Sequence, residues 1–135
     1  MILIIGMAVD ANVLIYERLR EEMAGGLDAQ AMANLFSEDC SYLNVPTNAP
    51  MVGRQAVLDW LGKVFHHLER IDVEVLHMIS KDGWVLSERR DDHIFHDRTM
   101  PLPVMNAAQV VNGKISVWRD YYDHQTVVNA GVIGG

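Results

Sequence analysis

The chain has 135 residues, of which 18 are acidic and 11 basic for a formal charge of −7, and 50% are hydrophobic. A single domain of this length buries about two-thirds of its unfolded surface, and the apolar content argues against disorder. The acidic balance disfavours nucleic acid and anionic lipid as partners. One cysteine, Cys40, excludes an intrachain disulfide or a cysteine-built zinc site and fits a reducing, cytoplasmic compartment.

Residues 1–16 are crowded with apolar side chains, interrupted only by Gly6, Asp10 and Asn12. A membrane-spanning helix needs about 20 apolar residues. This run is shorter, and no basic residues precede it as they would in a secretory signal. Helical spacing is clear over 12–24, where Ile15, Leu19 and Met23 form a stripe that Gly25 and Gly26 bring to an end. The string Gly6-Met-Ala-Val-Asp-Ala-Asn-Val-Leu-Ile-Tyr-Glu-Arg-Leu-Arg-Glu-Glu22 resembles a transmembrane motif of the SecD/SecF protein-export subunits. No series of apolar spans follows it, so an export channel cannot be built from the remainder. The expectation is a junction, with an atypical segment over 1–26 joined to a different domain over 27–135.

Residues 27–36 read as a short helix capped by Asp28, 40–45 as a strand, and 46–50 as a loop. The Gly53-Arg54 turn opens a helix over 54–68, with Val57, Trp60, Leu61, Val64, Phe65 and Leu68 at helical spacing. Residues 71–79 alternate as a strand, Lys81-Asp82-Gly83 turns the chain, and 84–95 runs back. A further strand spans 102–111, Asn112-Gly113 is a two-residue hairpin signal, and 114–124 returns. Helices followed by a largely antiparallel sheet give an α+β fold, with the helices on the sheet's concave face.

Residues two apart in a strand share a face. Tyr42 pairs in this way with Asn44, Arg89 with Asp91, and Trp118 with Asp120 and Tyr122. Converging on the concavity, these faces would bring together two carboxylates, a guanidinium, a phenol and an amide. Spacing alone equally allows 88–92 and 119–123 to be solvated strand ends. The histidines suggest no metal site. His66 and His67 are adjacent on a helix, His93 and His96 fall on opposite strand faces, and His77 and His124 lack a partner at ligand spacing. Eight methionines read as core filler.

The stretches Leu35-Phe-Ser-Glu-Asp39, Tyr42-Leu-Asn44-Val-Pro46, Gly53-Arg-Gln-Ala-Val57, Ile71-Asp72, Ser87-Glu-Arg89-Arg-Asp91 and Gly113-Lys-Ile-Ser-Val-Trp-Arg-Asp120-Tyr-Tyr-Asp123 carry a second likeness. In order and spacing they resemble the limonene-1,2-epoxide hydrolase family over residues 27–135. The resemblance implies a cystatin-like cone in which a curved mixed sheet and N-terminal helices enclose a deep pocket. It also implies a homodimer, no cofactor, and a small apolar epoxide hydrolysed by water to a vicinal diol, while the acidic charge leads us to expect no nucleic-acid or membrane partner.

By the same resemblance Asp120 is the general base, Tyr42 and Asn44 help hold the attacking water, Asp91 is the general acid, and Arg89 is the cation between the carboxylates. Val64, Leu68, Leu102 and Val104 would form the pocket wall. Water is a poor nucleophile, so a carboxylate must take its proton, while the opening ring needs a proton on its oxygen. Reference aspartate pKa values lie near 3.9, so the acid must be raised by burial and a like-charged neighbour. Departures from the family include a loop over 46–52 about one residue longer, His93 on the face of Asp91, Glu21 where an apolar residue is usual, and the export-like segment in place of the first helix. Other readings are an isomerase, dehydratase or cyclase on the same fold, a non-catalytic binder of apolar molecules, or an export fragment. The arginine-x-aspartate with a second aspartate favours hydrolysis, since isomerisation needs only one base and an oxyanion donor.

Overall fold

The computed structural model describes residues 11–131. Helix α1 (Ala11–Ala24) ends at Gly25 and Gly26 and is followed by α2 (Ala29–Ala33), whose cap Asp28 accepts from the Ala31 amide at 3.1 Å. Strand β1 (Phe36–Asn44) leads through a 3₁₀ turn at Val45–Thr47 to the short β2 (Met51–Val52) and helix α3 (Arg54–His66). Strands β3 (Arg70–Lys81), β4 (Trp84–Ile94), β5 (Thr99–Val111) and β6 (Lys114–Tyr121) complete the sheet, and α4 (His124–Asn129) follows. The chain is therefore α+β. Among the described residues no helix is long and apolar enough to cross a membrane.

The six strands lie in the order β2-β1-β6-β5-β4-β3, antiparallel throughout except for the parallel pair β1 and β6. Two turns act as the sequence requires. Asp82-Gly83 and Asn112-Gly113 both adopt positive φ at their two central residues, the conformation that matches the twist of a tight hairpin. Alternation then sorts the faces. In β4 the residues Val85, Ser87, Arg89 and Asp91 point inward and are buried, while Leu86, Glu88 and Arg90 point outward.

The inward face meets the helices in two clusters. The first joins Trp118, Phe36, Tyr42 and Val85 to Val57 and Leu61 of α3 and to Tyr16 and Leu19 of α1. The second, nearer the open end of the sheet, contains Leu68, Ile71, Phe95, Leu102, Val104 and Val127. Burying each such side chain contributes roughly 1.5–3 kcal/mol, so α1 is held by its own core contacts. Its buried line is Tyr16 and Leu19, with Ile15 and Met23 partly covered.

Four expectations are corrected. The last strand stops at Tyr121 rather than 124, because Asp123 accepts from the Gln125 amide at 3.0 Å and caps α4. That helix, absent from the expected order, sets Val127 against the second cluster. Strand β1 begins four residues earlier than its apolar pattern suggested, since Phe36 pairs with Ile115 of β6, and α2 is correspondingly short. The expected loop runs into β2, which pairs Met51 with Tyr42.

Candidate active site

Strand register builds the site. Parallel pairing sets Tyr42 beside Trp118 and Asn44 beside Asp120. On the other side of β6, Asn106 of β5 lies opposite Asp120, and Ser87 of β4 lies opposite Asn106. A polar row therefore crosses four strands from Asn44 through Asp120 and Asn106 to Ser87. Arg89 and Asp91 occupy the next inward positions of β4, opposite Val104 and Leu102. A cavity of about 740 Å³ opens over this face, within the range of about 300–1,000 Å³ usual for small-molecule sites. Tyr42, Asn44, Arg89, Asp91 and Asp120 all reach its wall, as do Val64, Leu68, Leu102 and Val104. Every expected site residue thus lines one cavity.

Arg89 is the centre of the polar group. Its Nε donates to both oxygens of Asp91 at 2.9 and 3.0 Å, and its second terminal nitrogen donates to Asp120 Oδ1 at 2.9 Å. Burial works against the charged guanidinium, but Asp120 and Asp91 outweigh it and hold the group firmly protonated. The two carboxylates receive different company. Asp120 also accepts from Asn106 Nδ2 at 2.8 Å on Oδ1 and from Trp118 Nε1 at 2.9 Å on Oδ2. Among the described residues, the Asp91 carboxylate accepts from the arginine alone.

Each ion taken from water into this interior costs several kcal/mol. One guanidinium therefore offsets one carboxylate, not two. The cluster becomes neutral when a single carboxyl keeps its proton. Asp120 accepts from three donors, whereas burial raises the pKa of Asp91 despite the opposing pull of Arg89. The wall thus offers a proton donor in Asp91 and, on Asp120 Oδ2, one acceptor position left beside the Trp118 bond. Burial also pushes the Tyr42 phenol well above its ordinary range, keeping it an O–H group.

His93 follows on the same face, with Nδ1 3.1 Å from the Asp91 carbonyl oxygen. Its sheet neighbours are Ile71 and Met100, and burial lowers its pKa, so a neutral imidazole stands between these two apolar side chains on the wall. Three contributors escaped the sequence reading. Asn106 was the one polar residue at an inward position of β5, a signal available from alternation alone. Trp118 was placed on the correct face, but without its hydrogen bond to Asp120. Tyr16 reaches Arg89 from α1, 73 residues away in the chain, and no local pattern marks that contact. Among the described residues no group of three or more His, Cys, Asp or Glu side chains is placed to hold a metal ion.

Comparison with known proteins adds to this geometry. The model of the limonene-1,2-epoxide hydrolase catalytic domain matches residues 19–132. The chain belongs to this family. An epoxide hydrolase of M. tuberculosis described as similar to the limonene-1,2-epoxide hydrolases superposes with a TM-score of 0.77 at 20% identity, covering 90% of this chain and 92% of its own. A SnoaL-like polyketide cyclase from Shewanella putrefaciens superposes with a TM-score of 0.80 at 12% identity, covering 94% and 100%. These likenesses establish the curved-sheet fold, which family members share with cyclases and with ketosteroid isomerase-like proteins. The protein translocase subunit SecD of Acidaminococcus fermentans is 44% identical over 61 residues. That match takes in 45% of this chain, which spans only 15% of the translocase subunit.

Proposed function

We propose that this member of the family hydrolyses a small, mainly apolar epoxide of the limonene-1,2-epoxide type to a vicinal diol, with Asp120 as general base and Asp91 as general acid. The observation that carries the reading is one guanidinium shared by two buried carboxylates with unequal donor sets, at the wall of an apolar cavity. A water held by Tyr42, Asn44 and Asp120 loses one proton to Asp120 Oδ2 as its oxygen forms the new bond to carbon. The ring C–O bond breaks with inversion at that carbon, its electron pair passes to the ring oxygen, and Asp91 supplies the proton there. Negative charge moves from Asp120 to Asp91 during the step. Arg89 touches both, so its stabilisation persists through the transition state without reorganisation. The proton on Asp120 then exchanges with solvent and Asp91 is reprotonated. Release of ring strain drives the reaction, and no step calls for a cofactor.

Incubation with limonene oxide and cyclohexene oxide in heavy-oxygen water tests this reading. The expected product is a diol carrying one labelled oxygen. A rearranged carbonyl compound would instead assign the site to isomerisation, and absence of any product would leave a binding protein. We propose that a homodimer forms through the sheet's outward face, a reading supported by the exposure there of Ile79, Leu86, Met105 and Tyr121. Sedimentation of Met105→Glu beside the unaltered chain checks that placement, with a shift to monomer expected.

A further inference from the structure

We propose that Tyr16 of α1, backed by Ser87 of β4, is a positioning clamp for Arg89, which makes the N-terminal helix part of the acid–base apparatus. The kinetic consequence rests on the hydrolase reading above; the clamp itself does not. A guanidinium has five N–H donors in a rigid fork and no acceptor. Nε serves Asp91, one terminal nitrogen serves Asp120, and the other donates to the Tyr16 hydroxyl at 3.1 Å. Because arginine can only donate, the Tyr16 oxygen accepts there, and the same hydroxyl shares a hydrogen bond with Ser87 Oγ, its second partner. The third side of the fork is therefore closed by a neutral acceptor. A third carboxylate in that place would compete with Asp91 and Asp120 for the same cation.

The ring of Tyr16 does a second task. It stacks on Trp118 with centroids 5.4 Å apart and planes inclined by 20°. Trp118 donates to Asp120, and the Arg89 guanidinium carbon lies 5.4 Å from the Trp118 ring centre. Tyr16 thus touches the cation through its hydroxyl and the base's donor through its ring. It sits behind Arg89 rather than on the wall of the main cavity, as does Ser87. Neither can meet substrate, so both act through Arg89. Small displacements of a catalytic group cost up to about 10²-fold in rate, and losing one of three anchors should cost less.

Tyr16→Phe keeps the stacked ring and removes the hydroxyl. In the full-length chain, kcat should fall about tenfold with KM held within about twofold, because the defect lies in the acid–base group and not in the apolar wall. Ser87→Ala should lower kcat in the same direction by less, and the double variant should lose no more than Tyr16→Phe, since both act on one chain of hydrogen bonds. Solvent exchange of the Arg89 Nε proton, followed by NMR, supplies a readout independent of turnover and should quicken in both single variants. Unchanged kcat with unchanged exchange overturns the clamp, as does a rise in KM at constant kcat. If the unaltered chain hydrolyses no epoxide while exchange still quickens in the variants, the hydrolase reading fails and the clamp stands.

Discussion

Strand β4 carries the same motif twice, one residue out of step. Arg89 with Asp91 and Arg90 with Asp92 are both arginine-x-aspartate pairs, joined at 2.9 and 3.1 Å. Alternation sends them to opposite faces. The side chains of the first pair are 3% and 5% exposed, those of the second 54% and 23%. Inside, burial dominates and the Asp91 pKa rises in spite of its arginine. Outside, the hydrogen bond from Arg90 dominates and the Asp92 pKa falls. Spacing and contact distance nearly match, although Arg89 gives Asp91 only its Nε while Arg90 gives Asp92 both Nε and a terminal nitrogen, and the carboxyl groups move in opposite directions. The chemistry of the pair comes from what surrounds it, above all from burial, and in smaller part from the second carboxylate that reaches the same guanidinium.

The contrast can be broken by substitution. Asp91→Asn and Asp120→Asn should each lower epoxide turnover by about 10²–10⁴-fold with folding retained. Asp92→Asn should leave turnover near that of the parent, and diol formation by the purified variants measures all three. Arg89→Ala should cost about 3–5 kcal/mol in urea unfolding, because it strands buried carboxylates. Arg90→Ala should leave the unfolding midpoint unchanged within error. Equal effects of the two arginine variants would remove the distinction between the faces.

Smaller changes sharpen it. His93→Leu replaces the imidazole between Ile71 and Met100 with an apolar side chain. KM for limonene oxide should drop about fivefold, equivalent to about 1 kcal/mol of added apolar contact; a rise would show that the histidine contacts substrate productively. The smallest effect lies in the pH dependence of stability. Asp91, raised above its ordinary 3.8, contributes stability that is full below that value and is lost as pH rises through its folded-state pKa. Asp92, lowered from 3.8, contributes stability that is present above that value and is lost as pH falls through its folded-state pKa. Urea midpoints measured across acid pH should therefore lose the first slope in Asp91→Asn and the second in Asp92→Asn.

Much of the site could be read from spacing. Tyr42 with Asn44, Arg89 with Asp91, and Trp118 with Asp120 each share a face because a strand repeats every two residues, and each pair does point inward. The tight turns at Asp82-Gly83 and Asn112-Gly113 were equally legible, since few residues accept positive φ. Asp123 was misjudged because an aspartate after a strand reads as more strand or as a cap, and only Val127 docking on the second cluster makes α4 worth forming. The boundary expected at residue 26 cuts between parts that share a core, since Tyr16 and Leu19 pack with Val57 and Trp118. We propose that the working domain is residues 27–135 together with α1. Removing α1 should then abolish cooperative melting.

The chain carries 18 acidic side chains, and composition gives no ranking among them. By itself the sequence determined which residues share a face, where the chain turns and which side chains are available for acid–base work, because these depend on neighbours a few residues apart. Tertiary structure alone decided which face is buried and that one arginine serves two aspartates 29 positions apart. It also decided that Tyr16 and Asn106 complete the hydrogen bonds around them. Those are matters of dielectric and donor count, and both are set by strands and helices that meet only when the chain has folded.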